Sequence, residues 1–332
     1  MSTLASRYVL SIGAAAALAA CSQAAPPIGA RVIPQSRAIA AQPDHAGSWV
    51  LPEAASSDLL YVGNLGQGLS MYTYPEGKLV GVVKNPNFSY LAGECVDSSG
   101  SVFVTNLGNN EIFEYKHGSK KLLQTLDAPT GYNTIDCSID PTTGNLAVSL
   151  LHGRRDRTGG VAIYPHAQGS PQIYTTPRIR RYYFCGYDDK GNLFVDGRPS
   201  VGYFHLAELP AGSSKFVDIQ LNQKIGIPGT VLWHGKYLAV GDQYAPDVYE
   251  FRIKGSRGTL VNTTPLSGIE PHLTADRAFW IQGMRIVVAT GTKAYPQGAV
   301  DFFAYPAGGN ATKIVSEDVR HPLGLTVSLA PH

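Results

Sequence analysis

Six arginines fall in two short runs, Arg154, Arg155 and Arg157, then Arg178, Arg180 and Arg181, and the second run leads straight into Tyr182, Tyr183 and Phe184. Guanidinium groups bind carboxylates, phosphates and sulfates bidentately, and neighbouring rings add stacking faces. That chemistry is recognition of an anion. Asp156 and Asp188 are the nearby carboxylates that would instead make these arginines a solvated, paired surface. Tyr203, Tyr244 and Tyr295 sit in polar, glycine-containing stretches and supply a residue type that anchors contacts. A second kind of chemistry rests on Glu94 and Asp136, each placed one residue before a cysteine. Two carboxylates side by side invite a divalent cation such as Ca²⁺, but a hard cation takes six or more oxygens. The expectation is therefore no metal and no cofactor, with both groups bonded to neighbouring backbone amides. No GxSxG, HExxH or CxxC motif occurs, and the nine histidines are scattered, so serine or zinc hydrolysis is not indicated.

Cys95, Cys137 and Cys185 lie 42 and 48 residues apart in similar local sequence. Such a recurring slot suits a small apolar side chain, which a free cysteine provides. A bridge needs Cα atoms about 4.4–6.8 Å apart, which equivalent strands of adjacent repeat units are not expected to reach. All three read as buried free thiols.

Among 332 residues there are 36 Gly, 22 Pro and 18 Tyr, a mixture that favours short strands and turns over helices. Charged residues make up 16% and the net charge is +2, so bulk attraction to a polyanion is excluded and nucleic acid is a poor candidate partner. Arg7 precedes an apolar run, Tyr8 to Ala20, too short for a membrane span of about 20 residues. Its end, Leu18-Ala19-Ala20-Cys21-Ser22, resembles a bacterial lipobox. That resemblance implies a signal peptide over 1–20, a lipid on Cys21, and an exported protein of the cell envelope held to a membrane by its lipid alone. Residues 21–57, rich in Ala, Pro, Ser and Gln, read as a flexible tether.

The remainder, 58–332, repeats. A short β-rich marker occurs at Tyr61–Asn64, Phe103–Asn106, Ala147–Leu150, Phe194–Gly197, Ala239–Asp242 and Val287–Thr290, at intervals of 42 to 48 residues. A strand and a glycine turn precede five of the markers, and two further strands follow each. Four strands per unit and six units predict an all-β, six-bladed β-propeller. The first unit starts at its second strand, and Gly324 to Leu329 match the missing inner one, so the ring is expected to close by that C-terminal strand joining blade one. Glu94 and Asp136 then fall at one mouth of the central channel. The equivalent positions carry Phe184, Thr230, Ala278 and Leu325, which add at most one hydroxyl. Both arginine runs and the three tyrosines fall on one loop-rich face.

Gly100 to Ile112, running from a turn glycine through an apolar strand to Gly108-Asn109-Asn110, resembles the NHL repeat. The whole of 58–332 is similar, at the level of fold, to the NHL-like and TolB-like six-bladed propellers. That group implies two functions. One is a non-catalytic platform for a partner protein, a peptide or an anionic glycan of the envelope. The other is a metal-dependent lactonase of the gluconolactonase type, its cation held at the channel mouth by Glu94 and Asp136. The missing catalytic set favours the platform.

Overall fold

The computed structural model describes residues 47–66, 68–153, 158–270, 278–290 and 297–331. Its strands are short, rich in Val, Ile, Tyr and Phe, and joined by tight turns. A first sheet holds β1 (Trp49–Val50), β2 (Leu59–Asn64), β3 (Gly68–Thr73) and β4 (Leu79–Val83). A second holds β5 (Leu91–Val96), β6 (Val102–Asn106), β7 (Glu111–Tyr115) and β8 (Leu122–Asp127), and a third β9 (Tyr132–Ile139), β10 (Leu146–Gly153), β11 (Gly160–Tyr164) and β12 (Gln172–Tyr174). Three more antiparallel groups follow. They are β13 (Arg181–Tyr187), β14 (Leu193–Arg198), β15 (His205–Leu209) and β16 (Val217–Leu221), then β17 (Pro228–His234), β18 (Tyr237–Asp242), β19 (Asp247–Lys254) and β20 (Arg257–Ser267), then β21 (Phe279–Gln282), β22 (Arg285–Thr290), β23 (Ala299–Ala304) and β24 (Gly308–Val315). The last strand, β25 (Leu325–Ser328), pairs antiparallel with β2, giving the first sheet the order β1-β4-β3-β2-β25.

Each marker segment lies in the second strand of its group. The turn between first and second strands carries a glycine with φ between 59° and 84° at Gly100, Gly144, Gly191, Gly235 and Gly283, a conformation that other residues adopt only under strain. The long β20 also touches its neighbours edge to edge, running parallel to β16 at its start and to β24 at its end. The first strands β25, β5, β9, β13, β17 and β21 lie each against the next, and β21 lies against β25. The core fills the spaces between sheets, with Tyr61, Tyr72, Phe103, Phe113, Tyr164, Tyr182, Phe194, Phe251 and Phe302 fully buried.

Two expectations change. The tether does not run to residue 57, because Trp49–Val50 adds an outer strand to β4 and Pro52–Ser56 forms a 3-10 turn with Ala54 fully buried. Apolar residues inside a polar stretch found a sheet edge to cover. The cysteines also differ. Cys95 and Cys137 form a disulfide with Cα atoms 5.6 Å apart, and Cys185 alone is a buried free thiol. Adjacent first strands approach more closely than blade geometry was taken to allow.

Candidate functional site

Two regions collect the polar chemistry, at opposite ends of the first strands. One is a central cavity of about 380 Å³ lined by residues of β5, β9, β13, β17, β21 and β25. Its rim is formed by exposed residues at the strand ends and turns, among them Pro141, Asp189 and Gly235, and its inner end by buried Glu94, Asp136, Cys185, Thr230, Ala278 and Leu325. Glu94 and Asp136 are therefore at the floor of the channel and not at a mouth.

The side chains around this floor follow from the repeat. The third residue of each marker faces the first strand of its own sheet and the next. Thr105 Oγ1 accepts from Gly93 N–H (2.8 Å) and donates to the Ile135 carbonyl (3.2 Å). Ser149 Oγ accepts from Asp136 N–H (3.0 Å) and donates to the Tyr183 carbonyl (2.6 Å). Asp196 stands at the same position and accepts from Phe184 N–H (3.0 Å). These groups satisfy the backbone where the β5–β6, β9–β10 and β13–β14 ladders shift register. The alternation Thr105, Ser149, Asp196 was visible in the markers, yet its stapling role is legible only once neighbouring sheets are in contact.

In the first sheet the equivalent residue is Gly63, and Glu94 fills the space. A Cβ on Gly63 would lie 2.1 Å from Glu94 Oε1, and one on Gly324 would lie 2.0 Å from Oε2. Gly63 N–H donates to the Gly324 carbonyl (3.3 Å), and neither oxygen of Glu94 has a hydrogen-bond partner of good geometry. Burial, then the nearby Asp136 carboxylate, push the Glu94 carboxyl well above the usual range. Asp136 Oδ2 accepts from Cys185 N–H (3.1 Å), but burial outweighs that bond and raises its pKa to about 7. Asp196 is also raised, by burial, with Asp136 adding to it. Burial likewise raises the Cys185 thiol, with Asp136 next in weight.

Asp136 and Asp196 each spend an oxygen on a backbone amide, and among the described residues no three His, Cys, Asp or Glu side chains converge as a metal-binding group. Sequence reasoning missed Trp233 and Trp280, which also line the cavity.

The second region is the start of β13 and the loop after β14. Arg178, Arg180 and Arg181 are all exposed. Arg181 pairs across the ladder with Arg198, a residue the sequence reading did not single out, and Arg180 N–H donates to the Arg198 carbonyl (2.9 Å). The Arg198 guanidinium lies 5.8 Å from the Tyr183 ring centroid. Beside it the loop raises Val201, 90% exposed, and Tyr203, 70% exposed. Arg178 pairs with Asp218 (3.3 Å), which His205 Nε2 also meets (3.0 Å). Asp188 is not a partner, because its carboxylate closes its own turn at the other end of β13, accepting from Lys190 and Asn192 N–H. Tyr244 is 58% exposed on a tight turn held by Asp242. Gly159 N–H donates to the Arg180 carbonyl (2.8 Å). Arg154, Arg155, Arg157, Tyr295 and Cys21 lie outside the described residues.

The fold is all-β, and the solved structures similar to it define its class as the β-propeller. A chain of a nidogen/laminin complex superimposes with a TM-score of 0.66 at 9% identity, over 83% of this chain and all of that one. A protein of unknown function from Bacteroides caccae gives 0.60 at 12% identity, over 82% of this chain and 99% of that one. No family model matches the chain, and no curated protein does.

Proposed function

We propose that the chain is an envelope lipoprotein, anchored through Cys21, whose propeller has six blades closed by β25 and acts as a non-catalytic recognition platform of the NHL-like, TolB-like kind. The closure is supported by the pairing of β2 with β25 and by the contacts of the six first strands, which run round to their starting point. The platform is the arginine face. The observation that carries it is the cross-strand pairing of Arg181 with Arg198 beside exposed Arg178 and Arg180, next to a loop that projects Val201 and Tyr203 into solvent. Such a surface suits an acidic partner protein, peptide or anionic envelope glycan, with guanidiniums for the anion and Tyr203 as anchor. The nidogen/laminin neighbour is a propeller seen in a protein complex, which agrees with a contact role and adds nothing about the ligand. No nucleic acid is invoked.

The probe is a heparin oligosaccharide titrated calorimetrically at low and high salt. Wild-type protein is expected to bind with strong salt dependence. Replacing Arg154, Arg155, Arg180 and Arg181 together by alanine should abolish binding while the melting temperature stays put. Unchanged affinity would remove this face from the reading. Cys21→Ser should end palmitate labelling and release the protein from membranes.

A further inference from the structure

The central cavity has a chemistry opposite to that of the arginine face. Its lining includes four carboxylates, Glu94, Asp136, Asp188 and Asp189, and not one lysine or arginine. Asp188 is occupied by its own turn, Asp189 is exposed at the rim, and Glu94 is buried with both oxygens unpartnered. The aromatic wall is equally specific. Trp233 and Trp280, two of the three tryptophans of the chain, line it from the neighbouring strands β17 and β21, both half-buried, and neither indole N–H has a partner. Phe194, which is not part of the lining, stacks on Trp233 with centroids 6.2 Å apart and planes within 6°, which fixes that ring.

We propose that this cavity is a second binding site, for a small ligand carrying a positively charged ammonium group, with Trp233 and Trp280 as its aromatic wall and the carboxyl groups of Glu94 and Asp136 at its inner end. Indole faces attract cations more strongly than other rings, and more so away from water. Burial holds the inner carboxyls toward their protonated forms, no lysine or arginine stands among them, and a cation entering the cavity favours their ionisation. The volume lies in the range of small-molecule sites. Since the site faces the other way from Arg178, Arg180 and Arg181, it stands whether or not those arginines bind anything.

Two of three tryptophans line the cavity, so intrinsic fluorescence reports directly on its occupancy. Full-length protein would be titrated with choline, putrescine and Nα-acetyl-lysine amide, to about tenfold above a millimolar Kd. Glucose and sodium acetate serve as controls. Saturable change with at least one ammonium compound and none with the controls is expected. Choline alone would mark a wall-dominated site, putrescine a carboxylate-dominated one, and the lysine amide a peptide-borne cation. Trp280→Ala should weaken binding roughly tenfold, the loss of one desolvated cation–π contact. Glu94→Gln, which keeps the shape of the side chain between Gly63 and Gly324, should also weaken it. No saturable change with any ammonium compound would overturn the proposal. So would saturation by glucose, or ammonium binding unaffected by both variants when circular dichroism shows them folded.

Discussion

Two junctions between neighbouring sheets are held by different means. Between the second and third sheets, β5 and β9 are linked covalently by Cys95–Cys137, and Thr105 ties the same strands through its hydroxyl. Between β25 and β2 there is no covalent link. The register runs Leu59 to Ser328, Leu60 to Val327, Tyr61 to Thr326 and Val62 to Leu325, and side chains fasten its ends. Ser328 Oγ donates to the Gly100 carbonyl (2.9 Å) and lies in hydrogen-bond contact with His117 Nδ1 (2.7 Å), while Asn64 Oδ1 accepts from Arg320 N–H (2.8 Å). The contrast teaches where stability is concentrated. A disulfide constrains the unfolded chain through a loop of 42 residues. The β2–β25 pairing joins segments at far ends of the fold and acts through the folded state alone.

The largest effect is therefore expected from cutting the second junction. Deleting 321–332 removes Leu325, Thr326, Val327 and Ser328, all buried, and leaves β2 as an unpaired edge. Each apolar side chain lost is worth about 1.5–3 kcal/mol, before the broken ladder is counted. The truncated protein should be unfolded or aggregated at 25 °C. A thermal midpoint within a few degrees of the intact chain would defeat the closure model.

Breaking the first junction should cost less. Cys95→Ala with Cys137→Ala is expected to lower stability by about 4 kcal/mol in a denaturant titration, the chain-entropy value for that loop. A change below about 1 kcal/mol would mean that the bridge is absent or offset by strain.

The channel floor sharpens the contrast through pH. Asp136 has a folded pKa of about 7, above its ordinary 3.8, with burial the main cause. The folded state then binds the proton more tightly than the unfolded chain does. Stability from this group is greatest below pH 4, falls as pH rises from about 4 to 7, and is flat above. Asp136→Asn should stabilise the protein at pH 8 by up to a few kcal/mol and flatten the slope between pH 4 and 7. An unchanged slope would assign it to Glu94 or Asp196, which titrate with it.

How much of this was readable in the sequence divides by range. The six markers all lie in second strands, because β-rich segments between glycine turns specify their structure locally. The pairing of Leu325–Ser328 with β2 was legible from what the first unit lacked. The stapling by Thr105, Ser149 and Asp196 was not, since each role depends on a strand some 30 residues further on. Glu94 was singled out for its charge, but its surroundings are set by two glycines, Gly63 and Gly324, whose absent side chains carry no signal in a composition. Trp233 and Trp280 stood outside every motif, and only the contact of β17 with β21 brings them to one cavity.

The smallest expected effect tests the same comparison most finely. Cys185 repeats the position of Cys137 one sheet later. Its sulfur lies 3.9 Å from the Ala147 carbonyl, as that of Cys137 lies 3.9 Å from the Phe103 carbonyl, and Ala147 and Phe103 are equivalent marker residues. Cys137 can join only one bridge. With Cys95–Cys137 formed, Cys185 is a buried thiol held protonated by its surroundings, and Cys185→Ala removes one sulfur from a packed slot at a cost of about 1 kcal/mol. If Cys137 paired with Cys185 instead, the same substitution would cost as much as losing the disulfide, and Cys95→Ala would become the mild one. Denaturant midpoints for the two single variants, with peptide mapping of the bridge, decide between these outcomes. A severe Cys185→Ala and a mild Cys95→Ala would move the covalent junction from β5–β9 to β9–β13.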